Sequence, residues 1–438
     1  MTNQERVVVV GAGAAGLRSA ERLRELGFDG EIVIVGDEPR RPYHRPMVSK
    51  HLLYGAARPY DITCPVHNDI DVKWRLGTMA TQLETDRRVV HLPGGEELKY
   101  DGLVIATGLI PRHLPGSPRH DPRVRMMRTV DDVATVRRLI QNSDQSVVVI
   151  GTGFTGCDVA VSARYLGRDV TLIGRSSGLL GDAFGPQIGR QLLELHAKHR
   201  TRLALGTQVR NWIRTKDGLA LHLTDGQLIV AGCVVLAIGS IPSTHWLRGS
   251  GLVVEDGVLT EASCFAAGGV DDIVVAGDIA RWPNLRYDEV PRRVEHWINA
   301  VEMGRHAAES LMLGKSNAKP FAPLPRVWSS QYDVRFQIAG VPSLGTDTVR
   351  LADGITGHLR NDQLVAVTGW DRPKAMMQWT AELARRLPVP DTTQVRAQVS
   401  NVREMPPRPD GAPGPGATAS ASNVRPIRDP RMMERGLA

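Results

Sequence analysis

Two strand–glycine turn–helix–strand units in one chain, with a run of short strands beyond them, predict an α/β protein: two Rossmann-like, three-layer nucleotide-binding domains plus a small α+β C-terminal domain. In each unit the glycine turn follows a β-branched run, opens a helix and is followed by a second strand, the order a βαβ nucleotide site requires.

The first unit opens with the run 7–10, followed at once by Gly11-Ala-Gly13-Ala14-Ala15-Gly16. Its helix, expected over 17–26, sets Leu17, Ala20, Leu23 and Leu26 on one face and closes at Gly27. A second strand, 32–35, ends in Gly36-Asp37-Glu38. The second unit opens with 147–150 and Gly151-Thr-Gly153-Phe154-Thr155-Gly156. Its helix is expected over 157–166, closed by Gly167, and its second strand, 170–173, ends in Gly174-Arg175-Ser176. Gly16 to Gly27 and Gly156 to Gly167 are the same interval, eleven residues. In such a fingerprint the first glycine permits the tight turn, the second admits a pyrophosphate close to the backbone, and the third lets helix pack on strand. The helix N-terminus then supplies free N–H groups to phosphate.

Further apolar strands run into turns that bring backbone close to a ligand at the carboxyl end of a sheet. They are 103–106 before Thr107-Gly108, 234–237 before Ile238-Gly239, and 273–276 before Gly277-Asp278. Asp225-Gly226 reads as a hairpin turn between 220–223 and 227–230, with 234–238 as a separate strand. Residues 293–313 read as one long helix. Beyond Pro320 come short strands at 326–328, 334–339, 355–359 and 364–369, then a helix at 374–387. From Pro406 the chain is rich in Pro, Gly, Ala and Ser without apolar periodicity, a composition that predicts disorder.

Composition narrows the function. A length of 438 residues suggests about three domains of ~150 residues, and 42% hydrophobic with 23% charged residues is ordinary for a globular protein. The net charge of +7 is either a scattered arginine surface or a basic patch that steers an acidic partner. Without a Lys/Arg run, helix-turn-helix or zinc signature, nucleic acid is not an expected partner. Cys64, Cys157, Cys233 and Cys264 form no CxxC pair, which argues for a reducing compartment and against a disulfide framework or metal site. No run approaches ~18 apolar residues and a strand begins near Arg6, so neither a membrane helix nor a signal peptide is expected; the default location is cytoplasmic.

The acidic position distinguishes the two units. Asp37 and Glu38, about 21 residues beyond Gly16, are placed to accept the ribose hydroxyls of FAD or NAD. Arg175 falls opposite Asp37, where it either pairs with a 2′-phosphate and favours NADPH, or points to solvent and leaves NADH usable. The segment Tyr43-His-Arg45-Pro-Met-Val-Ser49-Lys50 reads alone as a flavin- or pyrophosphate-lining loop or as a solvated basic loop. Cys157 opens a helix, which lowers a thiol pKa, but packing against a cofactor is the favoured reading; Cys64 is read as a packing residue.

Together these motifs resemble the FAD-dependent ferredoxin reductases of the putidaredoxin-reductase type, within the glutathione-reductase-like flavoproteins. The resemblance covers residues 5 to 390. It rests on both glycine fingerprints, Arg45-Pro46 with Ser49-Lys50, Ala106-Thr107-Gly108, Ala276-Gly277-Asp278, Arg293-Val-Glu295-His296-Trp297-Ile-Asn-Ala300 and Trp328-Ser-Ser-Gln-Tyr332. It implies a discontinuous FAD domain (1–122 and 242–318), an NAD(P) domain (123–241), a C-terminal domain (319–402) and a tail (403–438). It also implies that Asp37 or Glu38 binds the FAD ribose, that Arg45 and Lys50 flank the flavin nucleotide, that Asp278 binds its ribitol and pyrophosphate region, and that Trp297 and Trp328 lie beside the flavin. Lys50, Asp158 and Trp328 are the residues expected at the reacting groups. Four positions depart from the family pattern: Met47-Val48 for Pro-Leu, Asp158 for Glu, Gly174 for an acid, and Ser330 for Asp.

The implied activity takes hydride from NADPH or NADH, with NADPH weakly preferred, and passes single electrons to a ferredoxin-type iron–sulfur protein serving an oxygenase. No protein-bound metal is required, and the protein is expected as monomer or homodimer. The absence of cysteine from the 45–50 loop argues against disulfide or peroxide reduction. An NAD(P)H oxidase and a redox-gated flavoprotein interaction module are the alternatives.

Overall fold

The computed structural model describes residues 5–66, 70–142, 145–216 and 218–389. The first sheet is wholly parallel, in the order Ile273–Val275, Gly102–Ile105, Arg6–Val10, Glu31–Gly36, Lys73–Leu76. Its central strand is buried on both faces, Val7 to Val10 being at most 4% exposed. That explains a continuous β-branched run in place of alternation. Because Ile273–Val275 returns to this sheet, distant stretches of sequence build one layer.

The helix Ala14–Glu25 packs against the helix Trp297–Leu313 at backbone distance: a Cβ on Gly304 would stand 2.3 Å from the Ala15 carbonyl oxygen. Ser19 donates to the Gly304 carbonyl at 2.8 Å. The latter helix is shorter than the 293–313 expected. Residues 293–296 stay extended because Arg293 is tied to Asp256, Glu295 and the Asp278 carbonyl.

The second sheet repeats the plan, with Ser146–Ile150 parallel to Val170–Gly174 and to the second half of Leu228–Leu236. Leu228–Leu236 is one strand, not the two separated at 230–234 by the sequence reading. Its first half pairs antiparallel with Leu219–Leu223, and the register shift around Gly232 lets it change partners without a turn.

The third sheet is antiparallel: Arg326–Gln331, Val334–Gly340, Gln363–Trp370, Ile355–Arg360, Asp347–Ala352, with the helix Pro373–Arg386 against it. Asp347–Ala352 is an edge strand with only Val349 buried, so it carries no apolar run to find. The Pro/Gly-rich tail lies outside the described residues. Among the described residues no helix is long and apolar enough to cross a membrane, and no group of three His, Cys, Asp or Glu side chains is placed to hold a metal ion.

Candidate functional site

A cavity of about 580 Å³ runs from the first glycine turn to the first strand of the C-terminal sheet. Both glycine turns show why each glycine is there. Gly11 and Gly151 hold φ of +120° and +121°, and a Cβ on either would lie 2.1 Å from the carbonyl oxygen of Ala106 or Ala237. A Cβ on Gly16 or Gly156 would lie 1.9 Å from the carbonyl oxygen of Gly11 or Gly151. On Gly13 and Gly153 it would meet nothing within 4 Å, the open side a ligand would use.

The cavity gathers Gly11, Gly13, Ala14, Ala15, Asp37, Glu38, Arg45, Lys50, Ala106, Thr107, Gly108, Gly277, Asp278, Glu295, His296, Trp297 and Trp328. Gly16 stands behind it, packed on the turn. From the second unit Phe154, Thr155 and Asp158 reach the same cavity. Gly151, Gly153, Gly156, Arg175 and Gly239 lie outside it, on the second sheet's own carboxyl edge. Gly239 leads into the ribbon that pairs Ser240–Pro242 with Leu109–Pro111, and its carbonyl accepts the Arg112 N–H at 3.0 Å.

Glu38 is fixed from both sides. It accepts hydrogen bonds from the Tyr43 hydroxyl at 2.5 Å and Arg45 at 2.6 Å, while Asp37 is exposed. The loop that carries Arg45 is therefore not a solvated basic loop. Lys50 sits at a break in the helical turn Val48–Leu52. Its ammonium lies 2.9 Å from Asp158 Oδ1 and donates to Ser329 Oγ at 2.6 Å and the Ser330 carbonyl at 3.3 Å. Asp158 is only 6% exposed, and burial raises its pKa against the pull of Lys50. Ser162 on the same helix donates to the Ser49 carbonyl at 2.7 Å, which clamps the loop on the second unit. The shorter Asp158 thus still reaches Lys50.

Several residues here carried no legible signal. Arg128 lines the cavity beside Asp278, half-buried; desolvation and the neighbouring Arg45 pull its pKa down. The only sequence cue is its place before the cap in which the Arg128 and Thr129 N–H groups donate to Asp132 Oδ2. His44 meets Trp297 edge-on at 4.7 Å, and Thr78, Met79, Ala80, His245 and Trp246 complete the wall.

The donor set fits a flavin dinucleotide. Asp278, His296 and Trp246 line the cavity, and their Oδ1, Nδ1 and Nε1 atoms are shut off from water with no hydrogen-bond partner. Buried polar groups without partners are rare enough to need a reason. Burial pushes the Asp278 carboxyl up to about 6 and holds the His296 imidazole down at about 4, so His296 is neutral near pH 7. A polyhydroxyl chain, a pyrophosphate beside Arg128 and the free N–H groups after Gly13 are complementary partners for these groups.

All four cysteines are free and none lines the cavity. Cys157 does not pack against a cofactor. It is fully buried among Val159, Leu172 and Phe184 in the core beneath the second helix, and burial drives its thiol pKa upward despite the helix N-terminus. Cys64 is a buried packing residue as expected.

Two dinucleotide folds meeting at one cavity, with an ion pair across the seam and no thiol beside it, define an oxidoreductase of the two-nucleotide flavoprotein class. Residues 5–304 match the family described as pyridine nucleotide-disulphide oxidoreductase, and residues 326–405 match the reductase C-terminal family. The chain belongs to the pyridine nucleotide-disulphide oxidoreductases and is a flavin-dependent member of them. It is 31% identical to putidaredoxin reductase of Pseudomonas putida over 405 residues, covering 89% of this chain and 94% of that protein. It is 33% identical over 353 residues to the ferredoxin–NAD(+) reductase component of the anthranilate 1,2-dioxygenase system of Burkholderia cepacia, covering 80% of this chain and 85% of that one. Among solved structures, the covalent putidaredoxin reductase–putidaredoxin complex aligns with a TM-score of 0.81 at 28% identity, covering 91% of this chain and 99% of the other.

Proposed function

We propose that the chain is an FAD-dependent NAD(P)H:ferredoxin reductase serving an oxygenase in the cytoplasm, with NADPH preferred over NADH. The carrying observation is the Lys50–Asp158 pair, which joins the loop after the first nucleotide fold to the helix that opens the second, inside one cavity. FAD, when bound, supplies the exchange between two-electron and one-electron transfer. We assign 1–122 and 242–318 to its domain, 123–241 to the nicotinamide nucleotide and 319–402 to the C-terminal domain.

The Gly11–Gly16 turn and Arg128 receive the pyrophosphate, and Glu38, held by Tyr43 and Arg45, receives the adenosine ribose. Asp278 accepts hydroxyl donors, and Phe154, Thr155 and Asp158 border the nicotinamide side. Trp328 is 46% exposed with the Arg335 guanidinium 5.5 Å from its ring, and it borders both cavity and solvent. A partner docked there needs no further opening of the chain. The relatives' names and the complex with putidaredoxin support a ferredoxin as that partner. Arg175 is exposed and makes no ion pair among the described residues, which leaves it available to a 2′-phosphate.

Steady-state kinetics of the yellow holoprotein test this. Expected are ferredoxin reduction that slows as salt rises, and a kcat/KM for NADPH about tenfold above that for NADH, equivalent to ~1.4 kcal/mol. Arg175→Glu should erase that preference. Dye reduction without ferredoxin reduction at any salt would refute the partner. A slow, persistent charge-transfer complex with a change of oligomeric state would favour the interaction module. Equal or better use of NADH would refute the Arg175 reading.

A further inference from the structure

In the second nucleotide fold, Thr152 and Gly174 form a linked pair. A Cβ placed on Gly174 would stand 2.2 Å from Thr152 Cγ2, 3.2 Å from Oγ1 and 3.3 Å from Cβ. Turning the Cβ hydrogen of Thr152 towards Gly174 removes the closest contact but leaves a heavy atom in the Oγ1 position, 3.2 Å away, and Cβ itself at 3.3 Å, both tighter than ordinary packing, and β-branching restricts the rotamers that could do this. Its backbone is not free to retreat. Gly151 before it is wedged against the Ala237 carbonyl, and the Thr152 carbonyl accepts the Leu180 N–H at 3.1 Å. The first fold shows the same geometry with smaller atoms: a Cβ on Gly36 would meet the Ala12 methyl at 2.4 Å, and the acids follow at Asp37 and Glu38. In the second fold Arg175 and Ser176 stand there, and residues 170–180 contain no Asp or Glu.

We propose that Thr152 is a specificity-determining residue, because its side chain occupies the space through which any side chain at 174 must leave the strand. An acid at the strand's last position, where it would accept ribose hydroxyls and repel a 2′-phosphate, is excluded by the residue opposite. Selection of the nucleotide then passes to Arg175. This rests on the NADPH reading, but the steric link between 152 and 174 is independent of it.

The test uses FAD-loaded wild type, Gly174→Glu, Thr152→Gly and the double variant. Binding of adenosine 2′,5′-bisphosphate and of 5′-AMP is measured by calorimetry. Wild type should favour the 2′-phosphorylated probe about tenfold. Gly174→Glu alone should lose affinity for both probes, because the turn must shift. The double variant should recover AMP binding about tenfold over Gly174→Glu and reverse the preference. If Gly174→Glu alone gains AMP binding as fully as the double variant, Thr152 has no such role. If wild type binds AMP as tightly as the bisphosphate, the NADPH reading falls, while the comparison of single and double variants still decides the role of Thr152. Should Gly174→Glu not fold, Gly174→Ala serves. Its melting temperature should drop and be restored by Thr152→Gly, and the absence of restoration overturns the proposal.

Discussion

Replacing Lys50 by Met isolates the contribution of the ion pair at the seam. At 2.9 Å and an effective dielectric constant of about 20, the pair attracts by about 6 kcal/mol, most of it offset by the desolvation of two charges. Lys50→Met leaves the Asp158 carboxylate at 6% exposure with no cation beside it, and only the hydroxyls of Ser49, 3.4 Å away, and Ser329 as donors. The stranded acid has an escape, which is to take a proton. From an ordinary pKa of 3.8, neutralising it costs about 4 kcal/mol at pH 7 and about 1.6 kcal/mol at pH 5. The loss of stability should therefore be about 3–4 kcal/mol at pH 7 and shrink to below ~2 kcal/mol at pH 5. Asp158→Asn should cost only about 1–2 kcal/mol, because Lys50 keeps Ser329 and the Ser330 carbonyl. Lys50→Met with Asp158→Leu should return to within about 2 kcal/mol of wild type. Chemical denaturation of each variant at fixed excess FAD, at both pH values, reads all three quantities. A Lys50→Met penalty that is small, or equal at pH 5 and pH 7, would refute the pairing.

Three further outcomes follow from the site. Asp278 has a folded pKa of about 6 against an ordinary 3.8, so between these values the folded flavin-free chain holds a proton that the unfolded chain has released. Its stability should fall by up to ~3 kcal/mol as pH rises through that window, and Asp278→Asn should flatten the slope; an unchanged profile of melting temperature against pH would exclude Asp278 as its source. Gly16→Ala puts a methyl 1.9 Å from the Gly11 carbonyl and should cost about 1–3 kcal/mol in stability. Gly13→Ala meets no protein atom and should fold normally yet lose FAD affinity at least about tenfold, as read by flavin fluorescence titration. Cys157→Ala should keep turnover while losing about 1 kcal/mol of stability, and the native Cys157 thiol should resist alkylation; rapid labelling with loss of activity would contradict its burial.

The strand–turn–helix units were legible because their constraints are local. A β-branched run buried on both faces, a glycine at positive φ and a third glycine under the helix each leave a mark within a few residues. The second strands and the closing glycines were legible for the same reason: Gly27 and Gly167 both adopt positive φ where the helices end. Elements set by long-range partners were not legible. Leu228–Leu236 continues through Gly232 because a neighbouring strand takes over its pairing, and 293–296 leaves the helix because Asp256 and the Asp278 carbonyl hold Arg293.

The sequence by itself determined the two nucleotide folds, the glycine turns and the absence of cysteine from the Lys50 loop, since each is written in consecutive residues. The tertiary structure decided which of these meet. Arg128, Trp246 and His296 share one cavity with Asp278 only because Ile273–Val275 joins the first sheet and the chain folds back over it. Lys50 meets Asp158, 108 residues away in sequence, only because the two units pack with their turns facing one cavity. It also decided the fate of Cys157: position in the sequence put the thiol at a helix N-terminus, and packing put it in the core, where desolvation outweighs the helix dipole.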